Sequence, residues 1–172
     1  MTGRSKSGAR TPSSAAKRPQ LIVFSEGKET EPGYINNWYR IHRDRIIVKV
    51  APHRETTPVE LVTRATKQRA SDLTEARRGR GDSYDEYWCI FDVDRHPNLT
   101  AALELAASSG IRVALSRPCI ELWFILHFEY HAGYLETAQA ERLSQAYLGR
   151  GKTLSPHALD LLVSCAFRSL YK

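Results

Sequence analysis

Glu26, Asp92 and Asp94 are the residues of this chain whose types and spacing best suit chemistry. Each follows a short apolar run: Leu21-Ile22-Val23-Phe24 leads into Ser25-Glu26-Gly27, and Tyr87-Trp88-Cys89-Ile90-Phe91 leads into Asp92-Val93-Asp94. On extended chain, Asp92 and Asp94 point to one side and Val93 to the other, a spacing that lets two carboxylates share one hard cation. With Glu26 converging on the same place, the set suits a divalent cation. An Asp-x-Asp pair is weak evidence alone, because such pairs also cap turns. Its place at the end of one buried run, matched by Glu26 at the end of another, gives it weight. Glu29 and Glu31 fit a simpler role at a helix start, where carboxylates stabilise the amino-terminal end of the helix dipole.

Glu121 interrupts the apolar stretch Cys119-Ile120-Glu121-Leu122-Trp123-Phe124-Ile125-Leu126-His127. That stretch is apolar on nearly every face, so it predicts an internal helix. A lone carboxylate there is costly unless a cation or hydrogen-bond donors receive it, which makes Glu121 a further candidate for the site. His127 fits a hydrogen-bonded core histidine better than a ligand. Arg54, Arg77, Arg78, Arg80, Arg95 and His96 are candidates for holding the phosphates of a substrate. Gly149-Arg150-Gly151-Lys152-Thr153 is not a phosphate loop, because the pattern requires glycine where this chain has Ala146, and no strand precedes it.

These residues have to be positioned by an alternation of strands and helices. Ile46–Val50 and Ile111–Leu115 read as two more strands, and helices are predicted from Glu31-Pro32, from Thr57 to about Ala76, and from Pro97-Asn98 to Gly110. Two others are predicted, from Ser116-Arg117-Pro118 to Phe128 and from Thr137 to Leu148. Thr57-Pro58-Val59-Glu60 is the clearest boundary, with a capping Thr, Pro at the first helical position and Glu at the third. The pattern βαβαβαβα implies an α/β fold with a four-stranded, mainly parallel sheet flanked by helices. Open sheets of this kind bind ligands at the carboxyl ends of their strands, where the connections diverge. The strands ending at Phe24 and Phe91 are therefore expected to be neighbours, in the order 2-1-3-4, with Glu121 approaching from the helix after the fourth strand.

The length of 172 residues suits one domain, expected over 19–172, with the completeness of its carboxyl-terminal part left open. The formal charge of +6 is concentrated in residues 1–18, where Arg4, Lys6, Arg10, Lys17 and Arg18 meet no acid. A disordered basic tail is predicted there, able to raise nucleic-acid affinity without choosing a target. Cys89, Cys119 and Cys165 are odd in number and far apart, which favours neither a disulfide framework nor a zinc site and points to the reducing cytoplasm. No apolar stretch reaches the length of a membrane span.

Glu after the first strand and Asp-x-Asp after a later one, in a compact α/β unit, resembles the Toprim domain of topoisomerases, primases and OLD-type nucleases. Three ordered blocks resemble the RloB family more closely: Ser25-Glu26-Gly27-Lys28-Glu29-Thr30-Glu31-Pro32 with Tyr34, Phe91-Asp92-Val93-Asp94-Arg95-His96, and Ser116 to Phe128. The resemblance implies metal-dependent phosphodiester cleavage in bacterial defence against phage, in abortive-infection and restriction neighbourhoods. It also implies nucleic acid, DNA or RNA, as partner and an ATPase of the AAA or ABC type beside it. On it, Glu26 is the Toprim glutamate and Asp92 and Asp94 the metal pair. A homo-oligomer is compatible with this reading. The alternative is a non-catalytic module that binds a metal–nucleotide effector in the same crevice and acts through the ATPase.

Overall fold

Short runs rich in β-branched and aromatic residues form strands β1 (Gln20–Ser25), β2 (Ile47–Val50), β3 (Glu86–Asp92) and β4 (Arg112–Ser116). The computed structural model describes residues 17–54, 57–93, 96, 98–149 and 154–169, with side chains as far as 162. Asp94, Arg95, Pro97 and the tail through residue 16 lie outside the described residues. All pairings are parallel, in the order β2-β1-β3-β4. This is the arrangement expected from the sequence.

Parallel neighbours need crossover connections. Helices α1 (Thr30–His42), α2 (Pro58–Arg77) and α3 (Leu99–Ser109) supply them, and α4 (Glu121–Phe128), α5 (Thr137–Leu148) and α6 (Pro156–Ser169) follow the sheet. The Thr57 cap forms as predicted: its hydroxyl oxygen accepts from the Glu60 amide at 3.4 Å and its O–H donates to the Glu60 carboxylate at 2.8 Å. Gly110 closes α3 in the left-handed region at φ 66°, where a residue with a Cβ is strained.

Burial alternates along β3, with Tyr87, Cys89 and Phe91 buried and the residues between them half-buried. The buried set meets Leu61, Val62 and Ala65 of α2 and Ala102 and Ala106 of α3 in the main core. The opposite face is less covered than parallel strands usually are, because α1 packs against β2 and α6. There the guanidinium of Arg112 lies 5.7 Å from the centre of the Trp88 ring and pairs with Glu86 at 3.1 Å, so a cation shields the indole.

Three expectations are corrected. Ser116 ends β4 instead of opening a helix: it pairs with Asp92, and its carbonyl accepts from the Val93 amide at 2.7 Å. Pro118 also disfavours helical backbone at Arg117, and α4 begins only at Glu121. The stretch around α4 is not internal on all sides, since Trp123 is 47% and Leu126 41% exposed while Phe124 and Ile125 are buried. Helix α6 was not anticipated, although Ser155-Pro156 marks its start by the same logic as Thr57-Pro58, and the Ala158 amide donates to the Ser155 hydroxyl at 3.1 Å. Its Leu162 joins Ile120 and Phe124 in a second core, against which Tyr34 of α1 packs.

Lys17 and Arg18, assigned to the tail, contact the folded chain. Lys17 lies 3.7 Å from Asp82, and Arg18 donates to the Arg43 carbonyl. Among the described residues, no helix is long and apolar enough to cross a membrane.

Candidate functional site

The central strands end side by side. Ser25 pairs with Ile90, and the Glu26 amide donates to the Ile90 carbonyl at 3.0 Å, so Glu26 leaves β1 beside the end of β3. Asp92 is the last residue of β3 and pairs with Ser116 of β4. Registered neighbours on parallel strands present their side chains on one face, which puts Asp92 and Ser116 together. Glu26 Oε1 lies 2.9 Å from His96 Nε2, an ion pair when the imidazole is protonated. Glu26 Oε2 and the Ser116 hydroxyl are both buried without a hydrogen-bond partner among the described residues. Leaving such a group unsatisfied costs on the order of 1–3 kcal/mol, and more when it is charged.

The turn after Glu26 brings in a residue that the sequence reading assigned only to the helix dipole. Glu31 is 5% exposed, and its Oε1 accepts from the Gly27 amide at 3.0 Å. The Ser25 hydroxyl donates to the Gly27 carbonyl at 3.0 Å from the other side. Burial pushes the Glu31 carboxyl above its ordinary range, the Gly27 and Glu31 amides pull it back, and the charges of Glu121 and Glu26 raise it further. This is visible only in the folded chain, where the charge of Glu121 at the start of α4 reaches Glu31; in the sequence, the Glu31-Pro32 helix start conceals it.

Gly27 is required for this turn. A Cβ there would stand 1.9 Å from Glu31 Oε2, and that buried carboxylate cannot swing away without giving up the Gly27 amide. Gly27→Ala is expected to destabilise the fold by about 1–3 kcal/mol, as overpacking does. Adding Glu31→Ala should restore part of the loss. Urea unfolding of the single and double variants checks this, and equal losses in both would refute the proposed clash.

The raised Glu31 carboxyl also sets a pH dependence. In the unfolded chain it releases its proton near 4.5, and in the folded chain at higher pH. The folded state therefore binds more protons in that window, and this group's contribution to stability falls as pH rises through it. Glu31→Gln keeps an acceptor for Gly27 and removes the titration. Its stability relative to the parent is expected to improve from pH 4.5 upward. Urea midpoints measured between acidic and neutral pH test the sign, and a gap that stays flat or narrows would contradict it.

Glu121 begins α4, half-buried, and its charge reaches both Glu31 and Cys119. The Cys119 thiol is pushed up by burial, by its hydrogen bond to Glu121 and by the nearby charges of Glu121 and Asp92. Glu26, Glu31, Asp92 and Glu121 thus share one neighbourhood. His127 belongs to the packing of α1 on α4: burial lowers its pKa and raises that of Tyr34, and the Tyr34 hydroxyl and His127 Nε2 share a hydrogen bond of 3.0 Å.

The expected phosphate-holding residues separate. Arg54 is exposed just beyond the carboxyl end of β2, at the same end of the sheet as the acids. Arg77, Arg78 and Arg80 lie where α2 returns to the opposite end. There the next loop meets the start of β1 through Gln20 and Asp85, and Arg78 and Arg80 pair with Glu75 at 3.2 and 2.9 Å. They are not brought together with the acids. Arg95 lies outside the described residues, and His96 is paired with Glu26.

Among the described residues, no group of three or more His, Cys, Asp or Glu side chains is arranged to hold a metal ion. Asp94, the third expected ligand, is not among them. The donors present are oxygens, one of them the buried, unpartnered Glu26 Oε2, and this chemistry fits a hard cation such as Mg2+.

No curated protein matches the chain. The family described as RloB-like protein matches residues 21–161, from β1 into α6. That span contains Glu26, Asp92, Glu121 and the crossovers that place them, and the chain belongs to the RloB-like protein family.

Proposed function

We propose that this chain is a metal-dependent phosphodiesterase acting on nucleic acid, with Glu26, Asp92 and Asp94 as the residues that hold Mg2+ or Mn2+. The observation that carries the proposal is that the adjacent central strands β1 and β3 end side by side at Glu26 and Asp92, with Glu26 Oε2 buried and unpartnered among the described residues. A divalent cation there supplies charge against a phosphodiester and lowers the pKa of water. The chain's own part is to place oxygens. His96 occupies Glu26 Oε1 and leaves Oε2 as the ligand atom, while the Gly27 amide keeps Glu31 Oε1 fixed behind the turn. Glu121 adds negative charge to the same neighbourhood, which strengthens the attraction for a cation. Family membership supports a wider reading, in which the activity serves defence against phage beside an ATPase partner.

Purified protein incubated with Mg2+ or Mn2+ is expected to nick or degrade plasmid, single-stranded DNA or RNA, and chelation should stop it. Metal-dependent nucleotide binding with no turnover of any of these would replace the enzyme by a nucleotide-sensing module.

A further inference from the structure

An open cleft of about 680 Å³ lies beside the candidate metal loop, and none of the residues assigned above explains it. Val93, between Asp92 and Asp94, forms one wall; Arg117 and Pro118, just after β4, form another; Tyr134 and Thr137 close it from the loop into α5. We propose that this cleft seats an unpaired nucleic-acid strand next to the acids, Arg117 holding a backbone phosphate and Tyr134 stacking on a base. The assignment rests on reading the acidic crevice as a nucleic-acid site, and it names the form of the substrate.

Four observations support it. Val93 fixes the place, because its amide is tied to the Ser116 carbonyl and its neighbour Asp92 is a proposed ligand. Tyr134 is 69% exposed at the cleft, an aromatic ring with an open face of the kind that stacks on bases regardless of sequence. Arg117 is exposed and supplies the cation. The start of α5 does not compete for the phosphate, because Glu136 caps it: its side chain accepts from the Gln139 amide, and the Gln139 side chain accepts from the Glu136 amide at 3.0 Å. The cleft also falls within the range of small-ligand sites, about 300–1,000 Å³, suited to one or two nucleotides rather than a duplex. The Glu136 carboxylate at its wall opposes a second phosphate chain.

The test is binding of fluorescent single-stranded DNA and RNA oligonucleotides, and of the matching duplex, with Ca2+ in place of Mg2+ to hold the site without turnover. Single strands are expected to bind more tightly than the duplex. Tyr134→Ala should weaken single-strand binding about 5- to 150-fold, the equivalent of about 1–3 kcal/mol for one stacked base, and Tyr134→Phe should restore it. Arg117→Ala should weaken it too, and reduce the slope of log K against log salt by about 0.7, one phosphate's worth. Both side chains are exposed, so the variants should keep the parent's circular dichroism and melting temperature. Affinity within twofold of the parent in Tyr134→Ala, or equal losses on duplex and single strand, would overturn the assignment. Asp92→Asn keeps the two proposals apart: persistent cleavage of the same oligonucleotides in a separate Mg2+ assay would sink the metal reading, while the cleft stands or falls on the binding data.

Discussion

Asp92→Asn is expected to lower metal-dependent cleavage by at least ~10²-fold, the scale on which a positioned catalytic group acts, and Glu26→Gln should do the same. Neither should cost stability. Both side chains stand at strand ends outside the main core, and Glu26 Oε2 is buried without a partner among the described residues, so removing the negative charge relieves a desolvation cost. The melting temperature of Glu26→Gln should therefore equal or exceed that of the parent without metal. Adding Mg2+ should reverse the order, because a ligand at a hundred times its Kd stabilises the parent by about 2.7 kcal/mol and the variant by far less. Thermal melts of both proteins with and without Mg2+, alongside cleavage rates, read all of this. A variant that retains activity, or that gains as much from Mg2+ as the parent, would remove its residue from the site.

Phe124→Ala should be the most damaging single change in the carboxyl-terminal half. Phe124 is fully buried against Ile120 and Leu162, and its ring lies 5.5 Å from that of Tyr34. It therefore joins α4 and α6 to α1, the helix that carries Glu31. Truncating a buried Phe costs about 3–5 kcal/mol, a large share of the ~5–15 kcal/mol of a typical domain. Loss of the ring should also loosen α1 against α4, and cleavage should fall at temperatures where the protein is still folded. Phe124→Leu, which keeps most of the volume, should recover the larger part. An unfolding free energy within ~1 kcal/mol of the parent, from denaturant titration, would show that α4 is not this joint.

The sheet was legible because its signals are local: four apolar runs, a Thr-Pro helix start, a Gly after the third helix and turns between them. Parallel connectivity then left few arrangements, and the meeting of β1 with β3 followed from the acids at their ends. Glu31 stands in the first turn of α1 as expected, but its burial was not legible. Its type and place suit a helix start, while the partners that α1 meets lie far along the chain, as the contact of Tyr34 with His127 across some ninety residues shows. The basic loop after α2 was legible as a loop, although Arg77 itself ends the helix, and the structure places it at the end of the sheet opposite the acids. A crossover helix that begins at the carboxyl end of one strand must deliver its own end to the amino end of the next. Helix α6 carried a clear Ser155-Pro156 signal, obscured by the phosphate-loop-like residues before it.

The pairing of β1 with β3 also bears on synthesis of the chain. Ser25 meets Ile90 across a sequence separation of 65 residues. At about 5–20 residues per second, a ribosome takes roughly 3–13 s to lengthen the chain that far, and β1 waits without its central partner meanwhile. Glu26 leaves the exit tunnel long before Asp92, and Glu121 and the α4–α6 joint come later still. A nascent or prematurely terminated chain that stops before β3 carries Glu26 and Glu31 but no crevice. The proposed site is thus assembled only after β3 and the start of α4 have been translated.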